Sequence, residues 1–457
     1  MKKKSIFLFL FIAATLSIPY GCKKETDASK SALESQPATT EILERGTPAG
    51  QLNTEIAQKW MKMQLQIMRT TSGITNLAFV RPYAYSGIAF YESVKPGMPR
   101  YLSLSGQLNA MPPMPAVDVS LRYHWPSSAN ACMASFLKKM YPTTSAANVA
   151  SVDSLESAMN TQYSLIENAT TLARSITFGR DVALLIFNWS ETDGYLLANA
   201  PYVVPVGPGK WVPTPPAFAP APLGPYWGNL RVMVTGSGDN AQPPPPPAYS
   251  TTPGSPFYEM VKNVYDVSLA LTQAQKDQAI YWKDIPGLSS PGHFLNILEQ
   301  VLENDNTQHL DKAAAGYALT CINVYDATIS TWQTKYANNM IRPVSYIQTV
   351  LGHPTWLPYL GTPNHPEYTS AHASLSAANA NALSRLFGKN HPFTDHSYDY
   401  LGFPSRSYSS FYAIAQDAAN SRVFAGIHYQ ASCDLGLAQG YKVSCNIDKN
   451  LHLTGTP

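Results

Sequence analysis

A long stretch in the second half of the chain, HLDKAAAGYALTCINVYDATISTWQTK (309–335), places the strongest constraint on the fold. Its apolar and small residues recur every three or four positions, as on one face of an α-helix. The stripe comprises Leu310, Ala314, Tyr317, Cys321, Val324, Thr328, Trp332 and Lys335. Because this stripe ends in a lysine, the sequence predicts an ammonium group on the buried side of a helix. There it must lose its charge or meet an anion.

Helical spacing covers most of the remaining chain. It begins at Glu55, recurs at roughly 120–140, 148–168 and 169–190, and resumes from Tyr258 to about Val443. Few segments alternate with period two, as strands do. The sequence therefore predicts an all-α protein with an N-terminal helical region over 51–198 and a C-terminal helical domain over 258–450.

The segment between these two parts, 199–257, is dense in proline. Proline breaks helices and removes backbone donors, so we predict a long loop here. Four aromatic residues within it favour a loop that packs over the surface or roofs a pocket; an inert linker is the alternative. They are Trp211, Phe218, Tyr226 and Trp227.

The N-terminus has the pattern of an export signal. Three lysines at positions 2–4 precede the apolar run IFLFLFIAATLSI, which is too short for an ordinary membrane span. We therefore predict a signal peptide over 1–22 and an exported protein. Gly21-Cys22 resembles a lipoprotein cleavage site, so a lipid on Cys22 would anchor the protein in the cell envelope, with ordinary signal cleavage as the alternative. The polar segment 23–50 is predicted to be a flexible tether.

Cysteine usage and charge add two expectations. Cys433 and Cys445 are the closest pair in sequence and are candidates for a disulfide bond in an oxidising compartment, while free buried thiols are the alternative. Lysine plus arginine total 32 against 30 acidic residues, a balance that favours neither nucleic acid nor an anionic membrane surface as a partner. Membrane contact is expected only through the lipid anchor.

Three segments near the C-terminus concentrate cations and histidines: KYANNMIRP (335–343), HPEYTSAHAS (365–374) and SRVFAGIHYQAS (421–432). In the first, Lys335 and Arg342 are seven residues apart. We expect them on the same side of one continuing helix that Pro343 stops. Two cations aimed together favour an anion between them.

The second segment predicts an anion site at a helix start. Ser370 precedes an alanine-rich helix, roughly 372–387, that ends at Gly388. Its hydroxyl and the N–H groups of Ala371 and His372 therefore lie where helices bind anions. His372 could exchange a proton with a bound oxygen. The alternative is a plain N-cap beside a surface histidine.

The third segment turns Arg422 toward the core, because it continues an apolar stripe. His428 lies six residues later, and a helix break at Gly426 would bring it back to the same centre. A neutral imidazole there can ligate a metal or attack phosphorus. The alternative is a core histidine with satisfied hydrogen bonds.

Taken in order, Lys-x6-Arg-Pro, Ser-Ala-His and Ser-Arg-x5-His resemble the signature of the vanadium haloperoxidase and type-2 phosphatidic acid phosphatase superfamily, from Lys335 to about Gly440. The resemblance implies helical bundles around a site for vanadate or phosphate. It implies that His428 is the vanadium ligand or phosphoryl nucleophile and that His372 is the acid–base residue. The residues implied to bind the oxyanion are Lys335, Arg342, Ser370, Ala371 and Arg422.

Two positions depart from this signature. Ala371 stands where glycine is usual, and Ser432 stands where an aspartate is usual, four residues after His428. Ser432 could accept a hydrogen bond from the imidazole but brings no charge, so we expect His428 to be less basic and less firmly oriented. His293, His365 and Glu367 are further candidates to line the pocket or stand behind it.

The resemblance is closest to the haloperoxidase branch, through HPEYTSAH and AGIHYQ. It implies an enzyme that binds vanadate and oxidises halide with hydrogen peroxide. Two alternatives stay open. One is a phosphomonoesterase that binds phosphate esters at the same site and forms a phosphohistidine at His428. The other is a non-catalytic protein that binds an oxyanion.

Overall fold

The computed structural model describes residues 46–283, 288, 290–304 and 308–455. The predicted signal peptide, Cys22 and the tether up to residue 45 lie outside these residues. Within them the chain is helical, with two three-residue strands, and the all-α prediction is confirmed. The helices are α1 (Glu55–Thr70), α2 (Val80–Val94), α3 (Trp125–Met140), α4 (Ala146–Ser164), α5 (Ala169–Ser190), α6 (Pro256–Leu269), α7 (Gln273–Tyr281), α8 (Ser290–Asn304), α9 (Leu310–Asn338), α10 (Pro343–Thr349), α11 (Ala371–Phe387), α12 (Phe411–Phe424) and α13 (Gln430–Asn450).

Side-chain caps explain where several helices begin. Ser145 and Asn168 accept hydrogen bonds from backbone N–H groups at the first turns of α4 and α5. The strands β1 (Phe393–Asp395) and β2 (Arg406–Tyr408) form one antiparallel hairpin between α11 and α12. No helix in the described part of the chain is long and apolar enough to cross a bilayer.

Helix α9 lies in the middle of the main hydrophobic core. It packs against α2 from the first half of the chain and against α11 and α13 from the second. Almost all of its residues are buried, and not only the stripe seen in the sequence. The close approach of α2 depends on Gly87, where a Cβ atom would lie 2.6 Å from the Tyr317 carbonyl oxygen.

The proline-rich segment packs against this helical body. Lys210 forms an isolated β-bridge with Met340, and the Trp211 N–H donates to the Asn339 carbonyl at 2.7 Å. Trp211 and Trp227 are each 1% exposed, whereas Phe218 is 59% exposed. The segment is therefore held at the C-terminal end of α9, close to Lys335.

The disulfide proposed between Cys433 and Cys445 is wrong, because Cys433 is a free, buried thiol. Both cysteines lie on α13. Twelve residues of α-helix span about 18 Å, well beyond the distance of about 4–7 Å between the Cα atoms of a disulfide. Nearness in sequence misled here because the segment between them is a rigid helix.

Candidate active site

Lys335 is fully buried near the end of α9. Its Nζ donates to the carbonyl oxygens of Pro366 at 3.1 Å, Glu367 at 2.9 Å and Thr369 at 2.5 Å. Burial and the neighbouring Arg342 guanidinium lower the pKa of Lys335 well below its ordinary value. All three donors of an ammonium group are thus used, and the lysine fastens the loop that leads into α11.

Arg342 is also fully buried, but it does not continue α9 as we expected. Asn339 adopts a left-handed conformation with φ of 47° and ends the helix at Asn338. Arg342 is extended and precedes α10, and Pro343 starts that helix instead of stopping α9. A proline at the first helical position loses no hydrogen bond, which explains why it is tolerated there.

The Arg342 guanidinium lies between two histidines. Its Nη1 is 3.3 Å from His428 Nε2 and donates to the Ile427 carbonyl at 2.9 Å. Its Nη2 is 3.1 Å from His365 Nδ1, and its Nε donates to the His365 carbonyl at 2.8 Å. Burial lowers the pKa of Arg342 to about 10, a value at which the group still carries its charge near neutral pH.

His428 follows the predicted helix break. Helix α12 ends at Phe424, and Gly426, with φ of +75°, turns the chain before α13. Burial and the cations of Arg342, Lys335 and Arg422 lower the pKa of His428 well below its ordinary value. The imidazole is therefore neutral, as a metal ligand or nucleophile must be.

Glu367 supplies the carboxylate partner of His428. The related signature has this carboxylate at position 432, where this chain has a serine. Its Oε1 is 2.7 Å from His428 Nδ1 and accepts the Tyr429 N–H at 3.1 Å. Burial raises the pKa of Glu367 to about 7, against the opposing effect of Arg342 and Lys335. The expectation that His428 lacks a carboxylate partner is wrong, because that partner comes from the loop before α11.

Ser432 does not contact the imidazole as expected. Its buried hydroxyl interacts instead with the Glu367 side chain, which opposes the rise in the pKa of that carboxyl, and its carbonyl accepts the Ser370 N–H at 3.2 Å. It lies in the first turn of α13 and fastens that helix to the start of α11.

Ser370 stands immediately before α11 but makes no side-chain cap. Its buried hydroxyl lies beside the Cys433 thiol. The plain N-cap alternative is therefore wrong. A buried hydroxyl beside the first turn of a helix, where N–H groups have no intrahelical acceptor, fits an oxyanion.

A cavity of about 300 Å³ opens in front of these groups. Ala371, His372, Arg422, His428 and His365 are among its lining residues. The lining also has an apolar part, which includes Leu77, Val80, Leu223, Trp332 and Leu375. Leu223 belongs to the proline-rich segment, which therefore contributes to the cavity wall and is more than a linker. Ala371 lines the cavity at a position where the related signature has glycine.

Arg422 is held in this wall by a carbonyl oxygen. Its Nη1 donates to the Trp282 carbonyl at 2.6 Å, and the Trp282 ring stacks on His293 with centroids 4.5 Å apart. His293 does not line the cavity. Its Nε2 is 2.6 Å from Asp395 Oδ2, behind Trp282. No sequence pattern indicated that Trp282 or Asp395 supports the site, because each contacts it only through a residue far away in the sequence. Trp282 does so through Arg422, and Asp395 through His293.

His365 lines the cavity as a neutral imidazole. Burial, followed by the charges of Lys335 and Arg342, lowers its pKa well below the ordinary value. Its ring lies 5.2 Å from that of Trp332. Of the additional candidates, His365 therefore faces the pocket, while Glu367 and His293 stand behind it.

Comparisons with known proteins agree with this site. The model of the VCPO second helical-bundle domain matches residues 316–452, which contain the three cation- and histidine-bearing segments. The crystal structure described as the first bacterial vanadium-dependent iodoperoxidase is 30% identical. That match has a TM-score of 0.78 and covers 90% of this chain and 99% of the other.

The chain belongs to the vanadium haloperoxidase family.

Two structures of bacterial vanadium-dependent chloroperoxidase share the fold of this haloperoxidase-family chain. The match to the apo-type structure has 16% identity and a TM-score of 0.61, and covers 84% of this chain and 94% of the other chain. The match to the holo-type structure has 17% identity and a TM-score of 0.62, and covers 89% of this chain and 98% of the other chain. A search of curated proteins gave no match.

Proposed function

We propose that this protein is a vanadium-dependent haloperoxidase that binds vanadate and uses hydrogen peroxide to oxidise a halide. The observation that carries the proposal is the neutral His428 imidazole, held between Glu367 and Arg342 at the wall of a cavity that Arg422 and His372 also line. A neutral imidazole is a metal ligand, and the surrounding cations attract an oxyanion.

The residues present fit vanadate. His428 would ligate it, and Arg422, the Ser370 hydroxyl and the first-turn N–H groups of α11 would hold its oxygens. Lys335 and Arg342 add positive charge from behind the wall, and Lys335 keeps its bonds to the loop carbonyls. When bound, vanadate supplies the Lewis acidity that activates hydrogen peroxide toward halide.

His372 is the residue placed to move a proton in the cavity. It is the second residue of α11 and is 9% exposed, with its side chain on the cavity wall. An imidazole can give a proton to a departing oxygen and take one from peroxide. The apolar part of the cavity lining limits water around these groups, which strengthens the interactions of the cations.

The test measures halogenation of a phenolic indicator by hydrogen peroxide, with bromide or iodide and with or without orthovanadate. We expect turnover that requires vanadate, falls at least about 100-fold in His428→Ala and falls about 100-fold or more in His372→Ala. His452→Ala, at an exposed histidine far along the chain, is the matched control and should leave the rate unchanged.

The same samples are assayed for release of phosphate from an aryl phosphate. Hydrolysis without vanadate, together with no halogenation, would overturn the proposal in favour of a phosphomonoesterase that uses His428 as nucleophile. Binding of vanadate with neither activity would indicate the non-catalytic oxyanion-binding protein.

A further inference from the structure

Glu367 is bonded at both its backbone and its side chain. Its N–H donates to the Met340 carbonyl at 3.0 Å, and its own carbonyl accepts from Lys335 Nζ at 2.9 Å. Its carboxylate reaches His428 and the Tyr429 N–H. This single residue thus connects the end of α9, which carries the lysine, to the turn before α13, which carries the histidine.

The contacts on the two sides of the His428 ring specify one tautomer. Arginine can only donate, so Nε2, which faces Arg342 Nη1, must be an acceptor. Oε1 of Glu367 already accepts the Tyr429 N–H and is an acceptor on the other side, so Nδ1 must carry the hydrogen. Both neighbours therefore favour the Nδ1–H form, with the lone pair on Nε2.

We propose that Glu367 is the positioning residue of His428, in place of a carboxylate at position 432. It fixes the tautomer and the ring orientation that keep the lone pair on Nε2, where it would ligate vanadium in place of its contact with Arg342. Its importance for catalysis rests on the proposed function. Its effect on the tautomer does not, because the tautomer can be measured without vanadate and without turnover.

The hydrogen bonds of the neighbouring residues support the proposal that Glu367, and not residue 432, supplies the carboxylate next to His428. Ser432 is buried, its hydroxyl interacts with the Glu367 side chain, and its carbonyl is engaged by Ser370. The position that the signature assigns to an acid is thus next to a site in which Glu367 already provides the charge.

Glu367→Gln tests the proposal with little change in shape. The amide can still accept a hydrogen bond but carries no charge, and its N–H₂ group can be turned toward His428. We expect orthovanadate, which His428 would ligate, to bind about 10- to 100-fold more weakly by calorimetry. In ¹⁵N spectra we expect the His428 ring signals, assigned by their absence in His428→Ala, to move toward a mixture of tautomers.

Glu299→Gln is the matched control, since Glu299 is also a buried glutamate, 3% exposed, but pairs with Lys62 on α1. It should change stability while leaving orthovanadate affinity and the His428 signals as they were. Loss of stability in Glu367→Gln with unchanged orthovanadate affinity and an unchanged tautomer would overturn the proposal, because it would show that Glu367 only fastens the loop.

Two further variants keep the test decisive if Glu367→Gln does not fold. Glu367→Asp retains the charge but withdraws it by one methylene, so orthovanadate should bind about 10-fold more weakly; unchanged affinity and tautomer would contradict the proposal. Ser432→Asp in the native background should give no gain, because Glu367 already supplies the carboxylate. A tenfold gain in orthovanadate affinity would show that His428 still lacks a carboxylate partner and would refute the inference.

Discussion

At the scale of single residues, the buried pair of His293 and Asp395 supports the cavity from behind. The two side chains are 1% and 0% exposed. Burial alone would raise the pKa of Asp395, but His293, Ser397 and Tyr281 outweigh it and lower the pKa to about 2. The ionised carboxylate is thus fixed beneath Trp282, whose carbonyl holds Arg422.

The depressed pKa of Asp395 predicts a specific pH dependence of stability. Its ordinary value is 3.8, so the contribution is complete above about pH 5 and is lost as the pH falls through about 2. A shift of this size corresponds to about 2 kcal/mol. In urea unfolding, the difference in stability between the native protein and Asp395→Asn should therefore be larger at about pH 5 than at about pH 3.

Asp399→Asn is the control for this experiment, because Asp399 pairs with His396 at the surface, where each side chain is about half exposed. Its effect should be small at both pH values. A difference in stability between the native protein and Asp395→Asn that stays constant with pH would contradict the assignment of an ionised, buried Asp395.

Much of the site was visible in the sequence because its residues fall in three short segments with characteristic spacing. The contact between Glu367 and His428 was not, since it joins residues 61 positions apart and depends on how the loop before α11 folds back. The role of Lys335 was seen only in part. Its burial follows from helical spacing, but its three carbonyl partners follow from the path of that loop.

At the scale of elements, α11 and α13 approach each other through two glycines. A Cβ atom at Gly440 would lie 1.8 Å from the Ser374 carbonyl oxygen, and one at Gly436 would lie 2.8 Å from the Ser370 carbonyl. These helices place Ser370 and His372 beside the turn that carries His428. Glycine at these two positions therefore allows the close approach of α11 and α13 on which the geometry of the site depends.

Gly440→Ala should separate these helices. Alanine is favoured over glycine in a helix by about 1 kcal/mol, but a clash with backbone at this distance forces the helices apart at a larger cost. We expect the free energy of unfolding to fall by about 1–3 kcal/mol and phosphate to bind more weakly. Both are measured on the same protein, by denaturant unfolding and by calorimetry.

Gly238→Ala is the matched control, because a Cβ atom there would meet nothing within 4 Å. It should leave both quantities close to the native values. Equal stability of Gly440→Ala and Gly238→Ala would mean that α11 and α13 are not in close contact.

The elements themselves were largely predictable from spacing. The stretches expected over 120–140, 148–168 and 169–190 correspond to α3, α4 and α5. The error at Arg342 came from Asn339, because the apolar pattern cannot show that a single residue enters the left-handed region and ends a helix.

At the scale of the whole molecule, one hydrophobic core contains residues from α1–α5, α7–α9 and α11–α13. Helix α9 joins the two parts, and its contact with α2 is tight at Gly87. We therefore expect the described body to unfold as one cooperative unit.

Hydrogen exchange during denaturant unfolding tests this expectation. Peptides from α4 and α12 should lose their protection from exchange at the same denaturant concentration in the native protein. Gly87→Ala, which would place a Cβ atom 2.6 Å from the Tyr317 carbonyl oxygen, should lower both midpoints together. Two separate midpoints would show that the N-terminal and C-terminal helices unfold independently.

The apolar lining of the cavity has a consequence for how such a protein can diversify. Leu77, Val80 and Leu223 lie outside the residues 316–452 that match the family's domain model, whereas Arg422, His428 and His372 lie inside them. Mutations at these three apolar positions can therefore accumulate while the anion-binding groups stay untouched. A library confined to these positions would explore, by directed evolution, which organic molecules are admitted.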